Sequence, residues 1–310
     1  MKTIAITGVL GYSGRYIAAE AARRGWRVVG LTNSADRLPN PAGYELRPLP
    51  WAANGENPLR GVDVLVNTYW VRFSHSGGGY ASFSHHEAVE NTRLLFRAAR
   101  EAGVRRIVHT SITCPDAASP LPYFRGKAEL EQALADSGLP HSILRPAILF
   151  GESPEESILI NNMAWCLRHL PCVGTFGLGR YCLQPIHVQD LAELALDEAV
   201  QCEHARTIQA IGAETYSFRE LWHMLATAIG VRRPILPVPA WLGYAAACII
   251  GRLVGDVMLT RDEIRGLCEN RLAVDAAPAG HRSLHDWAQA HAATLGHTYQ
   301  SELTRRKRRL

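Results

Sequence analysis

No Cys-x-x-Cys pair occurs in this 310-residue chain, and its seven cysteines are scattered at Cys114, Cys166, Cys172, Cys182, Cys202, Cys248 and Cys268. An odd number without paired spacing offers neither a disulfide framework nor a zinc ligand set, so no metal site is expected, and free thiols fit a reducing compartment. The N-terminus runs straight into an apolar strand-like segment without a secretory leader, and the expected localisation is cytoplasmic. Long apolar runs are missing as well. The most hydrophobic stretch, residues 240–259, is broken by Arg252 and Asp256, and its uninterrupted part is about half of the ~20 residues a membrane span requires. A buried or lid-forming helix is expected there, with peripheral membrane contact as the alternative. The body also lacks excess charge: of the formal +4, five positive charges come from Arg305, Arg306, Lys307, Arg308 and Arg309, and removing them leaves −1. A nearly neutral body argues against a nucleic-acid partner, and the tail reads as a solvated terminus. Oligomeric state leaves no mark in the sequence; a homo-oligomer is compatible with it.

What is present is alternation. KTIAITG reads as a buried strand ending in glycine, GRYIAAEAARRG as a helix stopped at Gly25, and WRVVGLT as a second strand. Strands are expected again at residues 62–70, 104–113 and 141–151, with helices at 84–103 and from about Tyr123 to Ser137. This is the pattern of an α/β protein with a doubly wound, Rossmann-type parallel sheet. The expected division is a dinucleotide-binding domain over residues 1–205 with a cap insertion at about 152–180, a smaller, mainly helical C-terminal cap over 206–300, and the basic tail at 301–310.

Between the first strand and helix lies TGVLGYSG, with glycines at Gly8, Gly11 and Gly14. The first permits a tight turn, the second a close approach of backbone to a pyrophosphate, and the third close helix–strand packing. With Leu10, Tyr12, Ser13 and Arg15, these residues are expected to hold a dinucleotide at the positive end of the helix. A carboxylate that would bind a ribose 2′-hydroxyl is absent from the end of the second strand, which continues GLTNSADR. Asn33 and Arg37 follow that strand, Arg15 directly follows the last glycine of the turn, and guanidinium groups favour a 2′-phosphate. NADP(H) is therefore expected over NAD(H).

Together, TGxxGxxG near the N-terminus, HTSIT closing a mid-chain strand, the Tyr-x-x-x-Lys of YFRGK, RPAILFG and PIHVQDLA resemble short-chain dehydrogenases/reductases. The resemblance is to the extended and atypical branches, which include sugar-nucleotide epimerases/dehydratases, NmrA-like proteins and the NAD(P)H-binding accessory subunit of respiratory complex I. It covers residues 1–200 and fades in the cap. It implies that Tyr123 is the catalytic acid/base, that Lys127 binds the nicotinamide ribose and lowers the tyrosine's pKa, and that a hydroxyl after the mid-sheet strand holds the substrate oxygen. Ile112 stands where that hydroxyl is usual, so Ser111 is the candidate and Thr113 its alternative. By position in the family, Asn67, Thr68, Tyr69, Thr110, Pro146, Ala147 and Ile148 line the cofactor. Gly77, Gly78 and Gly79 read as a mobile flap and His75 as a solvated loop residue. Histidines 85 and 86 with Glu87 do not converge on one ion, since neighbours on a helix diverge by about 100°. Arg145 is expected in an ion pair, and His187 and Asp190 in the scaffold. The implied activity is hydride transfer between NADP(H) and a small carbonyl or alcohol substrate. An NAD-retaining epimerase or dehydratase and a non-catalytic NAD(P)H-binding sensor or assembly protein stay open.

Overall fold

The computed structural model describes the chain apart from residues 34–38, 54, 78–79, 202–203 and 308–310, and leaves the side chains of 75–77, 80–82 and 305–307 undescribed. Two compact units emerge. The first comprises residues 1–146 and 191–210; the second, residues 147–190 and 211–307.

The first unit is built on seven parallel strands: β1 (Thr3–Thr7), β2 (Arg27–Leu31), β3 (Glu45–Arg47), β4 (Val64–Asn67), β5 (Arg106–Thr110), β6 (His141–Leu144) and β7 (Arg206–Ile208). Their spatial order is β7-β6-β5-β4-β1-β2-β3, with every pairing parallel. Strand order reverses between β1 and β4, the place where sheets of this kind bind ligands at their carboxyl ends. The register brings those ends level: Thr7 pairs with Leu31, Asn67 with His109, and Thr110 with Leu144. β1 and β4 are buried along their whole length, as strands covered on both faces must be.

Three helices matter for the site. α1 (Tyr12–Arg23) follows the glycine turn; α2 (His85–Glu101) is capped by Ser84, whose hydroxyl accepts the Glu87 amide. α3 (Pro122–Asp136) opens with proline in its first turn, where the missing N–H costs nothing. Leu95, Phe96, Leu130 and Leu134 from α2 and α3 meet Leu65 and Ile107 of the sheet in one core. The sequence reading placed these helices within two residues of their ends. It did not contain the short β3, nor the division of 141–151 into two strands, which falls at Arg145–Ile148.

The second unit gathers α4 (Ile158–His169), the start of α5 (Val188–Val200), α6 (Phe218–Ala228), α7 (Ala240–Val254), α8 (Arg261–Cys268) and α9 (Leu284–Ala290) with short strand pairs. Phe150, Met163, Leu167, Leu221, Trp222 and Trp287 belong to its core. Asp190, expected as scaffold, accepts the His281 and Arg282 amides at 2.8 and 2.9 Å and pairs with the Arg282 guanidinium. Of the buried or lid-forming helix expected in residues 240–259, the buried alternative does not hold: α7 buries only Ala247 and Gly251, and stops at Gly255, whose φ of +66° makes a left-handed cap. Glycines let it lie close to its support, since a Cβ at Gly243 would sit 2.5 Å from the Phe176 ring. Among the described residues no helix is long and apolar enough to cross a membrane.

Candidate functional site

The glycine turn is shaped by contacts that only glycine allows. Gly8 has φ +62°, and a Cβ on Gly14 would lie 2.1 Å from the Gly8 carbonyl oxygen, far inside contact distance. The Gly11 amide donates to that same oxygen at 2.7 Å. Gly11 is also the N-cap of α1, and its side-chain-free position leaves the positive end of the helix, where the amides of Ser13 and Gly14 lie, without a side-chain cap. Leu10 is half-buried before it, and Arg15 is exposed one residue past Gly14, its guanidinium 5.1 Å from the Tyr16 ring. This cradle fits a dinucleotide pyrophosphate: short backbone approach, a helix end without a side-chain cap and no acidic side chain in the first turn.

A side-chain knot closes the floor between β1, β4 and β5. The Thr68 and Tyr69 amides reach the Thr7 hydroxyl at 2.7 and 3.0 Å, which occupies its lone pairs. Its single proton therefore goes to Asn67 Oδ1, 2.9 Å away. That fixes the amide of Asn67, and its Nδ2 donates to His109 Nδ1 at 3.0 Å. The imidazole proton then resides on Nε2, and full burial, reinforced by Lys127 and His141, holds the ring neutral with its pKa well below the usual histidine value. Thr68 adds a bond from its hydroxyl to the Thr7 carbonyl at 2.6 Å. Tyr69 stacks at a tilt on Trp51, 4.9 Å between centroids, and its phenol accepts from the Asn91 amide.

Tyr123 and Lys127 share a face of α3, one turn apart. The Lys127 ammonium donates to the Thr110 carbonyl at 2.7 Å and lies 4.4 Å from the centre of the Trp70 ring. Burial pulls its pKa down from 10.5 to about 7, with the nearby Glu131 carboxylate opposing the fall. Trp70 is the hub of the cluster. It meets Tyr123 edge-on at 5.6 Å and stacks on His85 at 5.7 Å, while His85 also meets Tyr123 at 5.6 Å. Gly126 makes room for it, because a Cβ there would be 3.0 Å from the indole. Two buried polar atoms at this edge, Thr110 Oγ1 and Trp70 Nε1, have no hydrogen-bond partner among the described residues. Such groups are found where a ligand or solvent completes the bonding.

Ser111 is turned elsewhere. Its hydroxyl donates to Glu131 at 2.5 Å, and Arg145 grips the same carboxylate at 3.0 and 2.5 Å, the ion pair expected of it. Ile112 is buried and Thr113 fully so, its amide donating to the Pro146 carbonyl. Asn33 follows β2 and uses Oδ1 to accept the Leu49 amide at 3.0 Å. Arg37, Gly78 and Gly79 lie outside the described residues, as does the His75 side chain. Pro146 ends the first unit, whereas Ala147 and Ile148 open the second, where the Ile148 carbonyl accepts from Ile186. Sequence reasoning passed over Trp70, Glu131 and the Thr7–His109 knot. Glu131 carried a signal, a carboxylate four residues past Lys127 on the same helix. Trp70 stood directly after Tyr69, but nothing in its spacing announced a ring against Lys127.

A parallel sheet with reversed strand order, a glycine turn and an uncapped helix end at the switch point define a dinucleotide-binding protein of the Rossmann type. The family model described as NAD(P)H-binding matches residues 8–162, half of the chain, and the chain belongs to that family. An uncharacterized protein of Mycobacterium tuberculosis is 28% identical over 239 residues; the match covers 76% of this chain and only 24% of that protein, so the chain spans about a quarter of its length. The mitochondrial NADH dehydrogenase (ubiquinone) 1 alpha subcomplex subunit 9 of Arabidopsis thaliana is 24% identical, covering 88% of this chain and 71% of its own. Among solved structures, the NADPH-dependent quinone oxidoreductase of Escherichia coli, complexed with NADPH, superposes with a TM-score of 0.69 at 22% identity, over 93% of this chain and 99% of that one. A nucleoside-diphosphate-sugar epimerase of Staphylococcus aureus gives 0.70 at 15% identity, over 93% and 100%. At these identities the structural likeness speaks for the fold.

Proposed function

We propose that the protein is an NADP(H)-dependent oxidoreductase that reduces a carbonyl, or oxidises the corresponding alcohol, with Tyr123 as proton donor and acceptor. The observation that carries this reading is Lys127: an amine buried at the carboxyl edge of β5, one helical turn from a tyrosine and beside the glycine-turn floor. Gly8, Gly11, Gly14 and the first amides of α1 hold the pyrophosphate, and Arg15 takes the 2′-phosphate. The cofactor supplies the hydride. Tyr123 gives its phenolic proton to the carbonyl oxygen as the carbon is reduced, and recovers a proton from solvent afterwards. Lys127 acts on Tyr123 through charge, since an ammonium nearby favours the phenolate. At neutral pH the buried amine is only partly protonated, and the negative charge of a bound dinucleotide draws it toward the ammonium form.

A second reading, a nucleotide-binding protein without turnover, is favoured by one observation: the Ser111 hydroxyl is spent on Glu131, and Ile112 holds the usual substrate-binding position. One experiment separates the readings. The purified protein is denatured and any released nucleotide identified; the emptied protein is then titrated with NADPH and NADH and screened against carbonyl compounds beside Tyr123→Phe. Exchangeable binding that prefers NADPH, with turnover lost about a hundredfold or more in the variant at unchanged cofactor affinity, supports the oxidoreductase. Binding without turnover in either protein supports the second reading, and tightly retained NAD points to an epimerase-like cycle.

A further inference from the structure

α7 carries a feature that nucleotide chemistry does not use. Trp241 is 72% exposed, Ile249 59% and Leu253 81%, and Leu242 and Ala245 are exposed with them. Spaced at 241/242, 245, 249 and 253, they follow the helical repeat and form one continuous apolar face. The strand before it, Ile235–Val238, adds Leu236, 45% exposed. An outward apolar face of this length marks a contact surface.

Charge identifies the occupant. Residues 221–255 contain no aspartate or glutamate, while Arg232, Arg233 and Arg252 give the stretch three positive charges. All three arginines are exposed. Arg232 and Arg233 line an open cavity of about 620 Å³ together with His223 and Thr227. Two copies of this face brought together would set these exposed arginines against one another, which disfavours self-association; the next acid in the chain, Asp256, has its carboxylate engaged by the Tyr299 hydroxyl and the Glu302 and Leu303 amides. An anionic, apolar-centred surface answers both properties. Fifteen residues of helix rise about 22 Å, short of a ~30 Å hydrocarbon core, so the helix can lie in a bilayer surface but not cross it.

We infer that α7 and the arginine-bearing segment before it dock on the surface of an anionic lipid bilayer. Trp241 and Leu253 enter the headgroup–acyl boundary, and Arg232, Arg233 and Arg252 meet lipid phosphates, the arrangement of an interfacial helix. The whole protein is sedimented with vesicles of phosphatidylcholine and phosphatidylglycerol (two to one) and with pure phosphatidylcholine vesicles, at low and high salt. The anionic vesicles are expected to retain it and the neutral ones far less, with binding weakened by salt. The double variant Trp241→Ser/Leu253→Ser is expected to lose about tenfold or more in partitioning, from the apolar area it withdraws. Both residues are largely exposed, so circular dichroism and NADPH binding should match the wild type. No retention by anionic vesicles, equal retention by both lipids, or equal retention of the double variant overturns the inference. So does a wild-type dimer in sedimentation velocity that the double variant turns into monomer, because a second copy then covers the face.

Discussion

Replacing Lys127 with methionine exchanges a buried amine for an apolar chain of similar length. In the folded, cofactor-free protein burial holds the ammonium at a pKa of about 7 against 10.5 when exposed, a disfavour of about 5 kcal/mol at ~1.36 kcal/mol per pH unit. Below pH 7 the folded and unfolded chains are both protonated here, and the fold bears that whole cost. Between about 7 and 10.5 unfolding takes up a proton, so wild-type stability rises by about 1.36 kcal/mol per pH unit. Methionine has no proton to exchange and leaves the Thr110 carbonyl without its donor, a pH-independent loss of about 1–3 kcal/mol. The slope is therefore the diagnostic quantity. Urea unfolding of both proteins, cofactor removed, is measured from pH 6.5 to 9.5. Relative to Lys127→Met, the wild type is expected to gain about 3 kcal/mol across that range, most of it above pH 7. Parallel stability curves would refute the placement of Lys127 in a water-poor site, and with it the argument for its role beside Tyr123.

Gly14→Ala forces a methyl against the Gly8 carbonyl and is expected to cost about 2–3 kcal/mol, read as a fall in thermal midpoint, with loss of nucleotide binding by fluorescence titration. Ser111→Ala removes one donor from Glu131 but leaves the Arg145 pair; about 1 kcal/mol of stability should go, and turnover should stay within threefold if the residue serves the ion pair alone. Arg15→Ala should raise the NADPH dissociation constant by about tenfold and leave that of NADH unchanged, as isothermal titration would show.

The sheet and the cradle were legible because their signals are local. A glycine that must turn, a helix that must start and an apolar run that must be buried all act within a few residues, so TGVLGYSG and YFRGK could be placed before any coordinates. The setting of Ser111 was not legible for a different reason: its partner Glu131 lies twenty residues away on another element, and only the folded chain shows where a hydroxyl points. Asn33 is similar, its oxygen bound to an amide sixteen residues on. α7 departed from the buried alternative because apolar composition does not say which way a face turns. Its hydrophobicity was plain; the exposure of Trp241 and Leu253 was not.

The knot of Thr7, Asn67 and His109 has one more implication. It is made entirely of the protein's own atoms, so the floor of the cradle is assembled before any nucleotide arrives and has no means of sensing what lies at the adenosine end. On the proposed reading, in which Arg15 takes the 2′-phosphate, discrimination between the two nicotinamide cofactors falls to the rim, where Arg15 is exposed. Preference could be exchanged there by changing a few surface residues, leaving the load-carrying centre of the sheet as it is.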